Sequence, residues 1–213
     1  MKHGKDKIVF LDAGTVDFGD VSFREFQALG DFKAYHHTRG PQILSRIRGA
    51  RIVITNKCPF DSSLIGRLQG VECLSITATG VNNVDLEAAR KFGIAVTNVS
   101  GYSTESVVQT TFAFLLALAG NLLDYDRVAH NGRWSRSPFF TVGSYPIREI
   151  WGKTLGIIGY GAIGQRVAQL GRAFGMKVLA SRIPGRSYPK REAARRAPFG
   201  KVIREADFLS IHA

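Results

Sequence analysis

Gly159-Tyr160-Gly161-Ala162-Ile163-Gly164 is a GxGxxG sequence that directly follows the apolar run Thr154 to Ile158 and opens a helical pattern from Ala162 to Phe174. The spacing has a physical rationale. The first glycine permits a tight turn, the second lets the backbone approach a pyrophosphate, and the third lets helix and strand pack closely. The free N–H groups and positive dipole end of the helix then face the phosphates. In a chain with 23 glycines, the six residues alone could equally be an ordinary glycine-rich turn. The succession of strand, motif, helix and second strand selects dinucleotide binding, with Gly159, Tyr160, Gly161, Ala162, Ile163 and Gly164 as the cofactor-binding positions.

The second strand, Lys177 to Ser181, ends where an acidic residue would accept hydrogen bonds from ribose hydroxyls. Ser181 and Arg182 stand there instead, with Arg186 close behind. A guanidinium cannot accept those bonds but pairs with a ribose 2′-phosphate, so NADP is favoured over NAD. Lys190, Arg191, Arg195 and Arg196 read as a solvated helical face. Cys58 and Cys73 lack a neighbouring histidine cluster and are packing residues, which leaves no metal site. His3, His36, His37 and His130 have no partner at a catalytic spacing.

Around these residues, short apolar runs alternate with helical patterns. Ile8 to Leu11, Arg51 to Thr55, Cys73 to Thr77 and Ile94 to Thr97 read as buried strands, with helices at Ser62 to Leu68 and Leu86 to Phe92. Such alternation implies a doubly wound parallel sheet. Thr104 to Ala129 then predicts one long helix, apolar almost all round as far as Leu118 and therefore buried. A loop with several aromatic residues follows from Asn131 to Pro146, and a second α/β pattern runs from Lys153 to a last strand at Asp207 to Ile211. The expected domains are 1–100 and 101–213.

Composition excludes several classes. The longest apolar run, Phe112 to Ala119, is far short of the roughly 20 residues that span a bilayer. The basic start, Met1 to Lys7, lacks the apolar core of a secretory signal, so the expected location is the cytoplasm. The formal net charge of +12 raises the question of nucleic acid, but nine Lys or Arg against three Asp or Glu from Lys177 onward supply six of the twelve. Charge this localised points to an anion site or to an unbalanced fragment rather than to a nucleic-acid surface.

Five blocks in order carry a resemblance over nearly the whole chain: Ile76-Thr-Ala-Thr-Gly-Val-Asn-Asn-Val-Asp85, Gly93-Ile-Ala-Val-Thr-Asn-Val99, Tyr102-Ser-Thr-Glu-Ser-Val-Val-Gln109, Trp151-Gly-Lys-Thr-Leu-Gly-Ile-Ile-Gly-Tyr-Gly-Ala-Ile-Gly164 and Ala206-Asp-Phe-Leu-Ser-Ile-His212. The sequence resembles the D-isomer-specific 2-hydroxyacid dehydrogenases, and most of all their glycerate dehydrogenase or hydroxypyruvate reductase branch. The resemblance implies an α/β protein with a flavodoxin-like substrate domain and a Rossmann NAD(P)-binding domain, here incomplete. The implied reaction is hydride transfer between a nicotinamide and a small D-2-hydroxyacid or 2-ketoacid.

By the same resemblance, Thr79, Gly80 and Val81 hold the substrate carboxylate through backbone N–H groups, and Tyr102 reaches the substrate. Thr104 lies near the cofactor phosphates and His212 lines the cofactor. The segment 104–150 forms a homodimer. The family's catalytic Arg, Glu and His would lie beyond Ala213, so no catalytic residue is expected within the chain, and the 213 residues should be marginally stable and inactive. An alternative from another class is a non-catalytic NAD(P)-binding sensor or corepressor-like protein on the same scaffold.

Overall fold

A computed structural model describes residues 5–213. The chain divides into two compact units, Met1–Tyr102 and Ser103–Ala213.

The first unit is a parallel sheet of β1 (Lys7–Phe10), β2 (Asp31–Ala34), β3 (Ile52–Thr55), β4 (Cys73–Ile76) and β5 (Ala95–Asn98) in the order β2-β1-β3-β4-β5. This is the flavodoxin order. The apolar runs are continuous because the inner strands are buried on both faces. Val9, Leu11, Val53, Leu74 and Ile76 pack on one side with Phe60 and Ile65. Ile8, Phe10 and Ile54 pack on the other with Phe23, Phe26 and Phe32. The helices are α1 (Arg24–Leu29), α2 (Ile43–Arg46), α3 (Ser62–Ile65) and α4 (Leu86–Lys91). Asp61 caps α3 by accepting from Leu64 N at 2.8 Å, and Asp85 caps α4 by accepting from Ala88 N at 2.9 Å.

β2 is not among the strands expected from the sequence. It is an edge strand in which only Phe32 is half-buried, so no apolar run marks it.

The second unit holds β6 (Thr154–Ile158), β7 (Lys177–Ala180) and β8 (Phe208–Ile211), parallel and in the order β7-β6-β8. The chain leaves β6 for β7 on one side and returns to β8 on the other, so a topological switch point lies at the end of β6. Its core joins Leu155 and Ile157 to Val108, Phe112, Leu115, Val167, Ala168 and Met176.

The long helix expected from Thr104 to Ala129 is two helices, α5 (Thr104–Ala119) and α6 (Leu122–His130), bent by 63°. Gly120 ends the first, and Asn121 turns the chain with φ 48°, a left-handed conformation that asparagine tolerates better than most residues. Nor is α5 buried all round. Val108, Phe112, Leu115 and Ala119 are buried, whereas Phe114 is 66% and Leu118 73% exposed in this structure. Leu209 and Ile211 on the edge strand β8 are also exposed. Residues 131–153 form no helix or strand, and Phe140 in that stretch is 94% exposed. Among the described residues no single helix is long and apolar enough to cross a membrane.

Candidate dinucleotide site

The remaining helices of the second unit are α7 (Ala162–Ala173), α8 (Lys190–Ala193) and α9 (Phe199–Glu205). The turn between β6 and α7 gives the three motif glycines three different environments. Gly159 has φ 89°, and a Cβ there would collide with the backbone of His212 and come within 2.6 Å of Ala213 N. Gly164 lies so close to the Gly159 carbonyl that a Cβ would overlap it. Gly161 faces open space, with nothing within 4 Å of where its Cβ would be. The first glycine thus turns the chain, the third lets α7 settle on the strand, and the second leaves room for a ligand to reach the backbone.

The N-terminus of α7 supports the same use. Its first-turn N–H groups have no intrahelical carbonyl, and no acidic side chain sits in that turn to offset the positive end. The helix is anchored by its buried face of Gly164, Val167, Ala168 and Gly171. At Gly171 a Cβ would press on Leu155 Cδ2 at 2.8 Å. Phe174 stacks on Phe112 with centroids 5.3 Å apart, and Arg166 pairs with Glu105 at 3.0 Å, which fixes α7 against α5. Thr104, the first residue of α5, is half-buried.

At the end of β7, Ser181 is fully buried and its hydroxyl donates to the Arg182 carbonyl at 2.7 Å, so it presents nothing to a ligand. The Arg182 guanidinium donates to the Ala193 carbonyl at 2.8 and 3.3 Å. Arg196 does not share the solvated helical face expected of it, and Arg195, although exposed, lies past the end of the helix. Helix α8 stops at Ala193, and the chain then pairs with β7: Ala197 N donates to Ala180 O at 2.8 Å and Arg182 N to Ala197 O at 2.9 Å. That pairing draws Arg196 inward to the glycine turn, where its side chain is only 12% exposed. Arg186, Arg195 and Arg196 line a cavity of about 440 Å³ together with Tyr160, Gly161 and Tyr188.

His212 donates its backbone N–H to Ile158 O at 2.6 Å, and its Nε2 pairs with Ser210 Oγ at 2.8 Å. Burial holds the imidazole below its ordinary pKa, which favours the neutral ring.

In the first unit, Thr79 and Gly80 are exposed on the loop after β4, and Val81 packs on the core. The loop is tied to the chain after β5: Thr79 Oγ1 donates to Val99 O at 3.1 Å, Asn98 Nδ2 to Thr79 O at 2.8 Å and Val99 N to Ala78 O at 3.1 Å. Tyr102 is exposed at the end of this unit. Asp12 is not among the residues that the sequence motifs single out. It is 3% exposed at the β1 end, where strand order reverses, and it accepts from Asn56 N at 2.9 Å and Lys57 N at 2.7 Å. An acidic residue closing the run Ile8-Val9-Phe10-Leu11 was the available signal. On the next two loops, Asn56 Oδ1 and Thr77 Oγ1 are buried without a partner. Burial raises the Cys58 thiol, as befits a packing residue, and no group of metal-ligating side chains occurs among the described residues.

Residues 112–213 match the NAD-binding domain of the D-isomer specific 2-hydroxyacid dehydrogenases. A hydroxypyruvate reductase of Blautia hydrogenotrophica is 34% identical over 209 residues, 97% of this chain. The chain belongs to the D-isomer specific 2-hydroxyacid dehydrogenase family. It spans 65% of that reductase's length. A glycerate dehydrogenase of Methylorubrum extorquens is 37% identical over 82% of this chain and 55% of its own. Among solved structures, a D-lactate dehydrogenase from Aquifex aeolicus, complexed with NAD and lactic acid, superposes with a TM-score of 0.78. It is 26% identical, over 97% of this chain and 60% of its own. A Rossmann NAD(P)-binding domain in this family accounts for the switch point, the glycine turn and the helix end described above.

The glycine environments separate fold from binding. Gly164→Ala is expected to lower the thermal midpoint sharply, because only backbone can move to relieve the overlap. Gly161→Ala should leave the midpoint nearly unchanged while weakening cofactor binding about tenfold or more, as roughly 1.4 kcal/mol of lost contact would. Thermal unfolding and a fluorescence titration with NADPH check both.

Proposed function

We propose that this protein is an oxidoreductase transferring a hydride between a nicotinamide cofactor and a small D-2-hydroxyacid or 2-ketoacid of the glycerate, hydroxypyruvate or glyoxylate type. The carrying observation is the glycine turn at the switch point, with open space only at Gly161 and an uncompensated helix end beside it. The cofactor, when bound, supplies or accepts the hydride. Gly161, Ala162, Ile163 and the α7 N-terminus hold its diphosphate, with Thr104 and His212 alongside. Thr79, Gly80 and Val81 hold the substrate carboxylate through backbone N–H groups, and Tyr102 contributes its phenol. The exposed loop stitched to Val99 and Asn98 supports this role, because a fixed turn can present several amides to one anion.

NADP is the proposed cofactor. The support is the basic lining beside Tyr160 and Gly161 and the placement of Ser181 and Arg182 where an acidic residue would select NAD. We further propose that the 213-residue chain taken alone binds cofactor without turnover. His212, whose backbone lies against Gly159, is paired with Ser210 rather than with a carboxylate that could orient a general acid. A homodimer through 104–150 is proposed on the exposed Phe114, Leu118, Leu122 and Leu123. The cytoplasm is the proposed location, in keeping with two free thiols.

Titration of the chain with each cofactor should show NADPH binding about tenfold or more tightly than NADH, as a charge-assisted contact would provide. Equal affinities would overturn the NADP assignment. No oxidation of NADPH is expected with hydroxypyruvate or glyoxylate, and a rate above background would contradict the inactivity of the isolated chain. Light scattering at micromolar concentration is expected to give the mass of a dimer; a monomer mass would remove that assignment.

A further inference from the structure

We infer that the ribose phosphate of the cofactor is read by Arg196, assisted by Arg186, and not by Arg182, and that Glu192 holds the Arg196 guanidinium in the phosphate's stead until the cofactor displaces it. The inference rests on the NADP reading above.

Arg196 is preorganised for this task. Its guanidinium lies 5.4 Å from the ring centroid of Tyr160 and 4.7 Å from that of Tyr188. Tyr160 belongs to the glycine turn, so the charge is held beside the dinucleotide site. Tyr188 is fixed by Ile183 N–H, which donates to its hydroxyl at 3.0 Å, and Arg186 lies 5.6 Å from the same ring. A guanidinium held between aromatic rings loses little further freedom when it pairs with a phosphate. Its present partner is Glu192, with Nη2 to Oε2 at 3.1 Å and the carboxylate half-exposed. Three arginines against Glu192 give the cavity a net charge of +2, which suits a phosphomonoester of about −1.5 to −2 better than it suits a carboxylate.

Arg182 occupies the position at which charge logic alone would put the reader, but its Nε and Nη2 both donate to the Ala193 carbonyl, which ties the guanidinium to the end of α8. There it holds α8 and the following turn in place, so that Arg196 reaches the cavity. It is a positioning residue.

Fluorescence titrations of the full chain and three variants with NADPH and NADH separate these roles. Arg196→Gln is expected to weaken NADPH about tenfold to a hundredfold while leaving NADH unchanged, so that the preference collapses. Arg182→Gln, which acts only through the placement of Arg196, should lower the NADPH preference by less than Arg196→Gln does and leave NADH unchanged. Glu192→Gln, which leaves every arginine in place, should tighten NADPH several-fold and leave NADH unmoved, and it serves if Arg196→Gln does not fold. Loss of the ratio in Arg182→Gln with its retention in Arg196→Gln would overturn the inference while the NADP reading stood. So would an NADPH affinity unmoved by Glu192→Gln. A wild-type chain without preference would refute the NADP reading itself, and this inference with it.

Discussion

Much of the second unit follows from one backbone contact, the approach of Gly164 to the carbonyl of Gly159. Two main-chain segments can come that close only where a side chain is missing, and the contact sets α7 directly over the end of β6. Gly171 repeats the arrangement two turns later against Leu155, so the helix lies flat along the strand. From there the geometry spreads: Phe174 meets Phe112 and Arg166 meets Glu105, and these fix α5. On the other side, β8 returns so close that His212 fills the space a Gly159 side chain would need. The helix end that faces outward at Gly161 is therefore aimed by packing. Function enters as the one gap in an otherwise crowded turn.

The same packing decides which features are legible in the sequence. The turn and its flanking strands were legible because each glycine is a steric requirement and each inner strand is an apolar run buried on both faces. β6 begins and ends where the pattern Thr154 to Ile158 predicts. Edge strand β2 left no such trace, since a strand with one half-buried residue carries no periodicity. The break at Gly120 and Asn121 was hidden for another reason: apolar residues continue through Leu122 and Leu123, and only the backbone conformation at Asn121 shows the bend. The basic tail departs in part from its helical pattern because helical spacing says nothing about a chain that stops being helical. Pairing of Ala197 with β7, a contact between distant residues, turned Arg196 toward the glycine loop.

The first unit applies the same topological rule with different chemistry. Its strand order also reverses, between β1 and β3, and there a buried carboxylate, Asp12, rather than a glycine turn organises the adjoining loop by accepting from two consecutive backbone N–H groups. A carboxylate so satisfied can remain buried at little cost, whereas its absence would leave those donors unpaired. Each unit thus brings a polar device to the C-terminal edge of its own sheet, where open α/β sheets bind ligands.

The proposed role of the backbone N–H groups at Gly161, Ala162 and Ile163 is to hold the cofactor diphosphate. It is tested most directly by recording the amide NMR spectrum of the isotopically labelled chain during titration with NADPH. The largest shifts are expected on those three amides and on the Arg196 side chain, and Gly161→Ala should move the titration midpoint to about tenfold higher NADPH or beyond. Shifts that leave the start of α7 untouched would contradict it.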